Sequence, residues 1–319
     1  MYVLDGETIF FISSAIVSFM SVGRNQQIPQ MIVVGIPNVD RNRDFTPTVG
    51  RQMLNPRGAD NFIEFLDKEL IKYIDDNFRT QDYRILFGHS LCGLFSAYTL
   101  VTNPNLFHAH IAASPGLMFE DEYVINKAKE VLYGKSDLNN QIYIAIGDEP
   151  AFMESMDKFT YILEKDTPGI NWEFQKYDNE DHDSVPFRTI ADGLAFIFSD
   201  MQLTGDIALK GVDAIKEHIK DSYKKYGFNT EISEVILNRI GYQLLQANEN
   251  EKAIEIFEYN VELYPNSANV YDSLGDAYDK QGLKNKAINS YKKAVFIGEK
   301  TKDVNLQAYR NNVERLKNQ

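Results

Sequence analysis

Cysteine is almost absent from this 319-residue chain, with Cys92 as the only one. A single cysteine makes neither an internal disulfide nor a cysteine-based zinc site, so neither can staple the fold. Basic residues are in the minority, 33 Lys and Arg against 46 Asp and Glu, for a formal net charge of −13. A chain of that charge repels phosphate backbones and anionic lipid, so neither nucleic acid nor a membrane surface is an expected partner. Long hydrophobic runs are also lacking. Thr8 to Val22 carries no charge, but it is too short for a bilayer span, which takes ~20 residues. Asp5 and Glu7 precede it, where a signal peptide has basic residues. The stretch therefore reads as a buried core helix. As it stands, the sequence reads as cytoplasmic.

What is present is an ordinary globular composition, 44% apolar and 25% charged, in a chain long enough for two domains. Through residue 202, strand-like pieces alternate with helix-like ones. Met31–Gly35, Tyr83–Phe87, His110–Ala113, Ile142–Ile146 and Trp172–Lys176 read as short strands. The first two are largely continuous apolar runs, as in strands covered on both faces. Between them, Asp60 reads as a helix N-cap ahead of Phe62, Phe65, Leu66, Ile71, Ile74 and Phe78, which recur at three- and four-residue spacing. This alternation predicts an α/β domain with a mostly parallel sheet, of the α/β-hydrolase type, over residues 1–202.

Strand signals then stop. Residues 203–229 read as a linker, with a charged helix over Lys210–Lys225. Over 230–319 an internal repeat appears. Gly241 and Gly275, Ala253 and Ala287, and Phe257 and Tyr291 each stand 34 residues apart. That period, with that set of small and large residues, predicts an all-α tetratricopeptide domain of two repeats. Val304–Leu316 reads as its capping helix.

The chemistry centres on Gly88-His89-Ser90-Leu91-Cys92-Gly93, which follows an apolar strand and precedes a helical run at Leu94–Leu100. This is the context of a nucleophile elbow, with Ser90 exposed on a tight strand-to-helix turn and a helix N-terminus beneath it. Cys92 stands where the second glycine of G-x-S-x-G is usual. The base is expected on a late loop at the carboxyl end of the sheet, and His182 lies there. Of the other histidines, His89 should point away from the hydroxyl, His108 and His110 lie at the far end of the sheet, and His218 is on the linker. The acid belongs on the loop after Ile142–Ile146, where Asp148 and Glu149 both qualify, Glu149 the preferred one. Asp181 and Asp183 adjoin His182 too closely to hold its ring. The oxyanion donors are expected to be the amide of Leu91 and that of Glu7 or Gly6 in the first strand-to-helix loop. Arg43, Arg51 and Arg57, on a long polar loop, are candidate contacts for an anionic substrate, with solvated surface as the plainer reading.

Leu4-Asp5-Gly6-Glu7, Ile32–Ile36, Arg43–Pro47, Gly88–Leu91, Ala113-Ser114-Pro115 and His182–Pro186 occur in order, and together resemble the bacterial "Putative esterase" family. That family includes enterochelin-type siderophore esterases, esterase-D-like enzymes and carbohydrate esterases. The resemblance covers residues 1–200. It implies carboxylic ester hydrolysis through a serine acyl-enzyme, on a siderophore, carbohydrate or other small-molecule ester, without metal or cofactor. Relatives carry further strands before the Leu-Asp-Gly segment and many carry an export signal. A truncated N-terminus would thus place the protein in the periplasm or outside the cell. The alternatives are an acyltransferase, or a catalytically impaired domain serving a repeat-based interaction module. The repeats are expected to take a protein partner or a second copy of the chain.

Overall fold

In a computed structural model of the chain, residues 1–23, 26–47, 58–227 and 232–318 are described. The chain divides into two compact units, Met1–Ser199 and Asp200–Gln319.

The first unit is built on six strands: β1 (Tyr2–Leu4), β2 (Val34–Ile36), β3 (Ile85–His89), β4 (Ala109–Ala113), β5 (Asn140–Ile146) and β6 (Ile170–Lys176). They lie in the order β2-β1-β3-β4-β5-β6, and every neighbouring pair is parallel. Parallel neighbours need crossovers, and the helices supply them. These are α1 (Gly6–Met20), α2 (Arg41–Phe45), α3 (Ala59–Phe65), α4 (Lys72–Asn77), α5 (Leu91–Thr102), α6 (Phe119–Val131), α7 (Pro150–Asp166) and α8 (Val185–Ile197). The central strands β4 and β5 are buried at every position, as in strands covered on both faces. On β6, Asn171, Glu173 and Gln175 alternate outward, the pattern of a strand with one wet face at the end of the sheet.

Four sequence expectations change here. The strand predicted at 31–35 is confined to Val34–Ile36. Asp60 does not cap α3. Gly58 precedes the helix, and the Asp60 carboxylate accepts a 2.7 Å hydrogen bond from Tyr98 Oη. Between α3 and α4 the helix widens to a π-type turn over Leu66–Ile71. The uncharged run that forms α1 is only half core. Ile16, Val17 and Met20 are buried, whereas Phe11 and Phe19 are 79% and 65% exposed. Among the described residues no helix is long and apolar enough to cross a membrane.

The second unit is helical: α9 (Gly205–Ala208), α10 (Val212–Tyr226), α11 (Glu234–Gln246), α12 (Asn250–Leu263), α13 (Ala268–Lys280), α14 (Lys284–Thr301) and α15 (Leu306–Asn318). The 34-residue spacing has a packing cause. A Cβ on Gly241 would lie 2.4 Å from the Phe257 ring, and one on Gly275 would lie 2.5 Å from the Tyr291 ring. Each glycine thus lets α11 meet α12, and α13 meet α14, closely enough to bury an aromatic ring.

Candidate active site

The elbow is a strained backbone. Ser90 sits at φ 59°, ψ −115°, a conformation that costs a non-glycine residue free energy and persists only when its surroundings enforce it. The enforcement is visible. Ser90 N–H donates to the Ala113 carbonyl at 2.9 Å, and the Gly116 N–H donates to the Ser90 carbonyl at 3.2 Å. The chain folds back so tightly that a Cβ on Gly88 would stand 2.0 Å from the Cys92 carbonyl oxygen. At Gly93 a Cβ would meet Ala113 O and Pro115 Cα at 3.0 Å. Gly93 therefore provides the close approach of α5 to β4, and position 92 tolerates a larger side chain because that side chain turns inward. Cys92 is fully buried against Asp5 and Arg41. Burial, with Asp5 beside it, pushes its thiol well above the ordinary cysteine range. A buried thiol without thiolate character is unreactive. Iodoacetamide is therefore expected to leave Cys92 unmodified in the native protein and to alkylate it fully in denaturant. Rapid native labelling, read by mass spectrometry, would contradict the buried placement.

His182 lies in a turn that ties itself. Asp181 accepts hydrogen bonds on Oδ1 from the amides of Asp183 (3.1 Å) and Ser184 (2.9 Å), and its own amide donates to Ser184 Oγ at 2.9 Å. Asp181 is thus spent on the turn. His182 Nδ1 instead meets Glu149 Oε1 at 2.5 Å. A carboxylate only accepts, so Nδ1 carries the proton and the neutral ring keeps Nε2 as its free acceptor. The other carboxylate oxygen of Glu149 accepts from Ser114 Oγ and, at 3.0 Å, from the Gly147 amide. Desolvation works to raise the Glu149 pKa. The hydrogen bonds from Ser114, His182 and Gly147 outweigh it and hold the carboxyl below the ordinary glutamate range.

Asp148, the other candidate acid, does not reach the ring. Its carboxylate pairs with Lys176 Nζ at 3.1 Å and is 61% exposed. The backbone dictates this choice. Asp148 N–H donates to the Glu180 carbonyl at 2.7 Å, and a Cβ on Gly147 would lie 2.5 Å from that same oxygen. The acid loop and the histidine loop are therefore in main-chain contact. That contact turns the two consecutive acidic side chains to different partners.

The first strand-to-helix loop sits beside the elbow. Asp5 adopts a left-handed conformation (φ 51°, ψ 43°) ahead of α1. A Cβ on Gly6 would strike Ile36 N at 2.5 Å, so the loop needs glycine there. Arg41 forks onto Asp5 at 3.0 and 3.1 Å and donates to the His89 carbonyl at 3.4 Å. Asn38 donates to both Asp5 and Glu7. Burial opposes the Asp5 charge, but hydrogen bonds from Arg41 and Asn38 prevail and lower its pKa. Gly6, Glu7 and Leu91 all lie in first helical turns, where amides have no intrahelical acceptor. Asp5, Asn38, Arg41 and Ser114 are the residues that sequence reasoning did not select. Their only signal was position in loops after strands at the carboxyl end of a parallel sheet.

His89, expected only to point away from the hydroxyl, meets the histidine loop. Its ring lies 4.7 Å, centroid to centroid, from that of His182. His110 is buried in the sheet and bonds Ser96. The Arg84 amide donates to His108 Nδ1 at 3.2 Å. Arg43 holds the neighbouring Asp44 through Nε at 2.6 Å and Nη2 at 2.9 Å, with its side chain half exposed. Arg51 and Arg57 lie outside the described residues.

Residues 1–188, more than half of the chain, match the family described as "Putative esterase". The chain belongs to that family. It is a serine esterase, a carboxylic ester hydrolase. The esterase is 29% identical over 215 residues to the Ferri-bacillibactin esterase BesA of Bacillus subtilis, covering 58% of this chain and 73% of that one. It is 24% identical over 155 residues to a siderophore enterobactin esterase of Emericella nidulans, covering 42% of this chain and 51% of the relative's length. Its structure is similar to that of an IroE-like serine hydrolase from Shewanella oneidensis, with a TM-score of 0.67 and 25% identity over 82% of this chain and 88% of the other.

Proposed function

We propose that this esterase hydrolyses siderophore esters through an acyl-enzyme on Ser90, with His182 as base and Glu149 as the acid of the triad. The observation that supports the reading is the His182–Glu149 pair, whose imidazole lies 4.7 Å from the ring of His89, the residue before Ser90. Ser90 Oγ attacks the ester carbonyl carbon while its proton passes to His182 Nε2. The tetrahedral oxyanion takes hydrogen bonds from the amides of Leu91 and of Glu7 or Gly6. The C–O bond to the alcohol then breaks, and the leaving oxygen takes the proton from His182. Water, deprotonated by the same nitrogen, attacks the acyl-enzyme; the bond to Ser90 Oγ breaks, Oγ takes that proton back from His182, and the carboxylic acid leaves. Glu149 holds the ring by Nδ1 and stabilises the transient imidazolium. The substrate class is supported by the names of the bacterial and fungal relatives.

We also propose that α11–α14 are two tetratricopeptide repeats capped by α15, and that they serve a protein partner or a second copy of the chain. The glycine–aromatic packing at a 34-residue interval supports this.

The test is covalent. A fluorophosphonate is expected to add to the peptide containing Ser90, at one equivalent per chain, and to stop hydrolysis of a siderophore ester in parallel. An adduct on another residue, or full labelling with hydrolysis intact, would overturn the assignment.

A further inference from the structure

We propose that His89 is a positioning residue for the base, bracing the His182 imidazole in the orientation that keeps Nδ1 on Glu149. The inference rests on reading His182 as the base.

One hydrogen bond from Nδ1 to Glu149 fixes a single atom of the ring. The ring can still pivot about that bond, and a pivot moves Nε2, the atom that must receive the serine proton. Two further rings remove that freedom. His89 lies against His182 at 4.7 Å with 47° between planes, and Phe152 lies at 5.6 Å with 45°. His89 is well anchored for the task. It ends β3, in the interior of the sheet, and its carbonyl is held by Arg41.

The brace is compatible with the chemistry only while it is uncharged, because a second cation would oppose formation of the His182 imidazolium. The groups facing His89 are His182, Asp5 and Arg41. Burial disfavours its protonation most, and His182 adds to the effect. Its Nε2 is buried without a hydrogen-bond partner among the described residues. Asp5 works the other way and Arg41 with burial, and the balance holds the pKa of the ring below the ordinary histidine value, which favours the neutral brace that the chemistry needs.

The experiment compares His89→Ala and His89→Phe with the wild type and with His182→Ala. Active sites of the His89 variants are titrated by fluorophosphonate, so that kcat is expressed per competent site. His89→Ala is expected to lower kcat about tenfold with KM within about twofold, the mark of lost orientation rather than lost binding. His89→Phe restores a flat ring and is expected to recover to within about threefold of wild type. A purely structural residue would change the number of titratable sites and leave kcat per site alone. Wild-type kcat per site in His89→Ala, or no recovery in His89→Phe, with His182→Ala inactive, overturns the brace. A fully active His182→Ala would instead remove His182 as base, and the proposal with it.

Discussion

Ser90→Ala is expected to lower kcat for a nitrophenyl ester by at least about 10⁴-fold, with the melting temperature within a few degrees of wild type. The size follows from the role. Without Oγ no acyl-enzyme forms, and the residual rate is that of water in a site that still offers its amides and its histidine. The small structural cost follows from the backbone. The φ of 59° is equally unwelcome to serine and alanine, and the bonds that enforce it run through the Ser90 main chain to Ala113 and Gly116. Steady-state kinetics together with a thermal melt decide the matter. Equal rates would sink the nucleophile, and a collapsed melt would mean that the side chain holds the turn.

Glu149→Gln is expected to lower kcat about 10²–10⁴-fold, and Asp148→Asn to stay within about twofold of wild type. The amide of glutamine can present its NH₂ group to Nδ1 and so favour the tautomer with the proton on Nε2, the wrong atom for a base. It also removes the negative charge that the imidazolium needs. Asp148 spends its charge on Lys176 near solvent, where an ion pair contributes little. A pH series adds a second readout. The folded pKa of Glu149 lies below its unfolded value. Its contribution to stability is therefore present above the ordinary carboxylate range and is lost as pH falls through the folded value. The melting temperature of the wild type should drop more steeply on acidification than that of Glu149→Gln. Parallel curves would place the lowered pKa elsewhere.

Legibility in the sequence followed the range of the interactions involved. The turn at Ser90 was readable because it is local: a glycine two residues before, a strand behind and a helix ahead. The place of His182 on a loop after the last strand was readable from chain order on a parallel sheet. Asp148 and Glu149 were inseparable because they are adjacent, and what parts them is the packing of Gly147 on Glu180, more than 30 residues away. The meeting of His89 with His182 was hidden for a similar reason. Strand alternation does turn His89 away from Ser90, but no local rule says that the His182 loop comes to meet it there. The α1 helix was read as core from its lack of charge, yet Phe11 and Phe19 face outward. The absence of charge bounds what a helix can pair with and leaves open how much of it is covered. The repeat was readable because each small residue and its large partner recur together.

The contact between Gly147–Asp148 and Glu180 matters beyond the choice of acid. Because main-chain atoms join the two loops, they form one inheritable unit. Anyone moving this site onto another sheet would have to transplant both segments, with β5 and β6 at their present spacing. Lengthening either loop alone would separate His182 from Glu149 without altering either side chain.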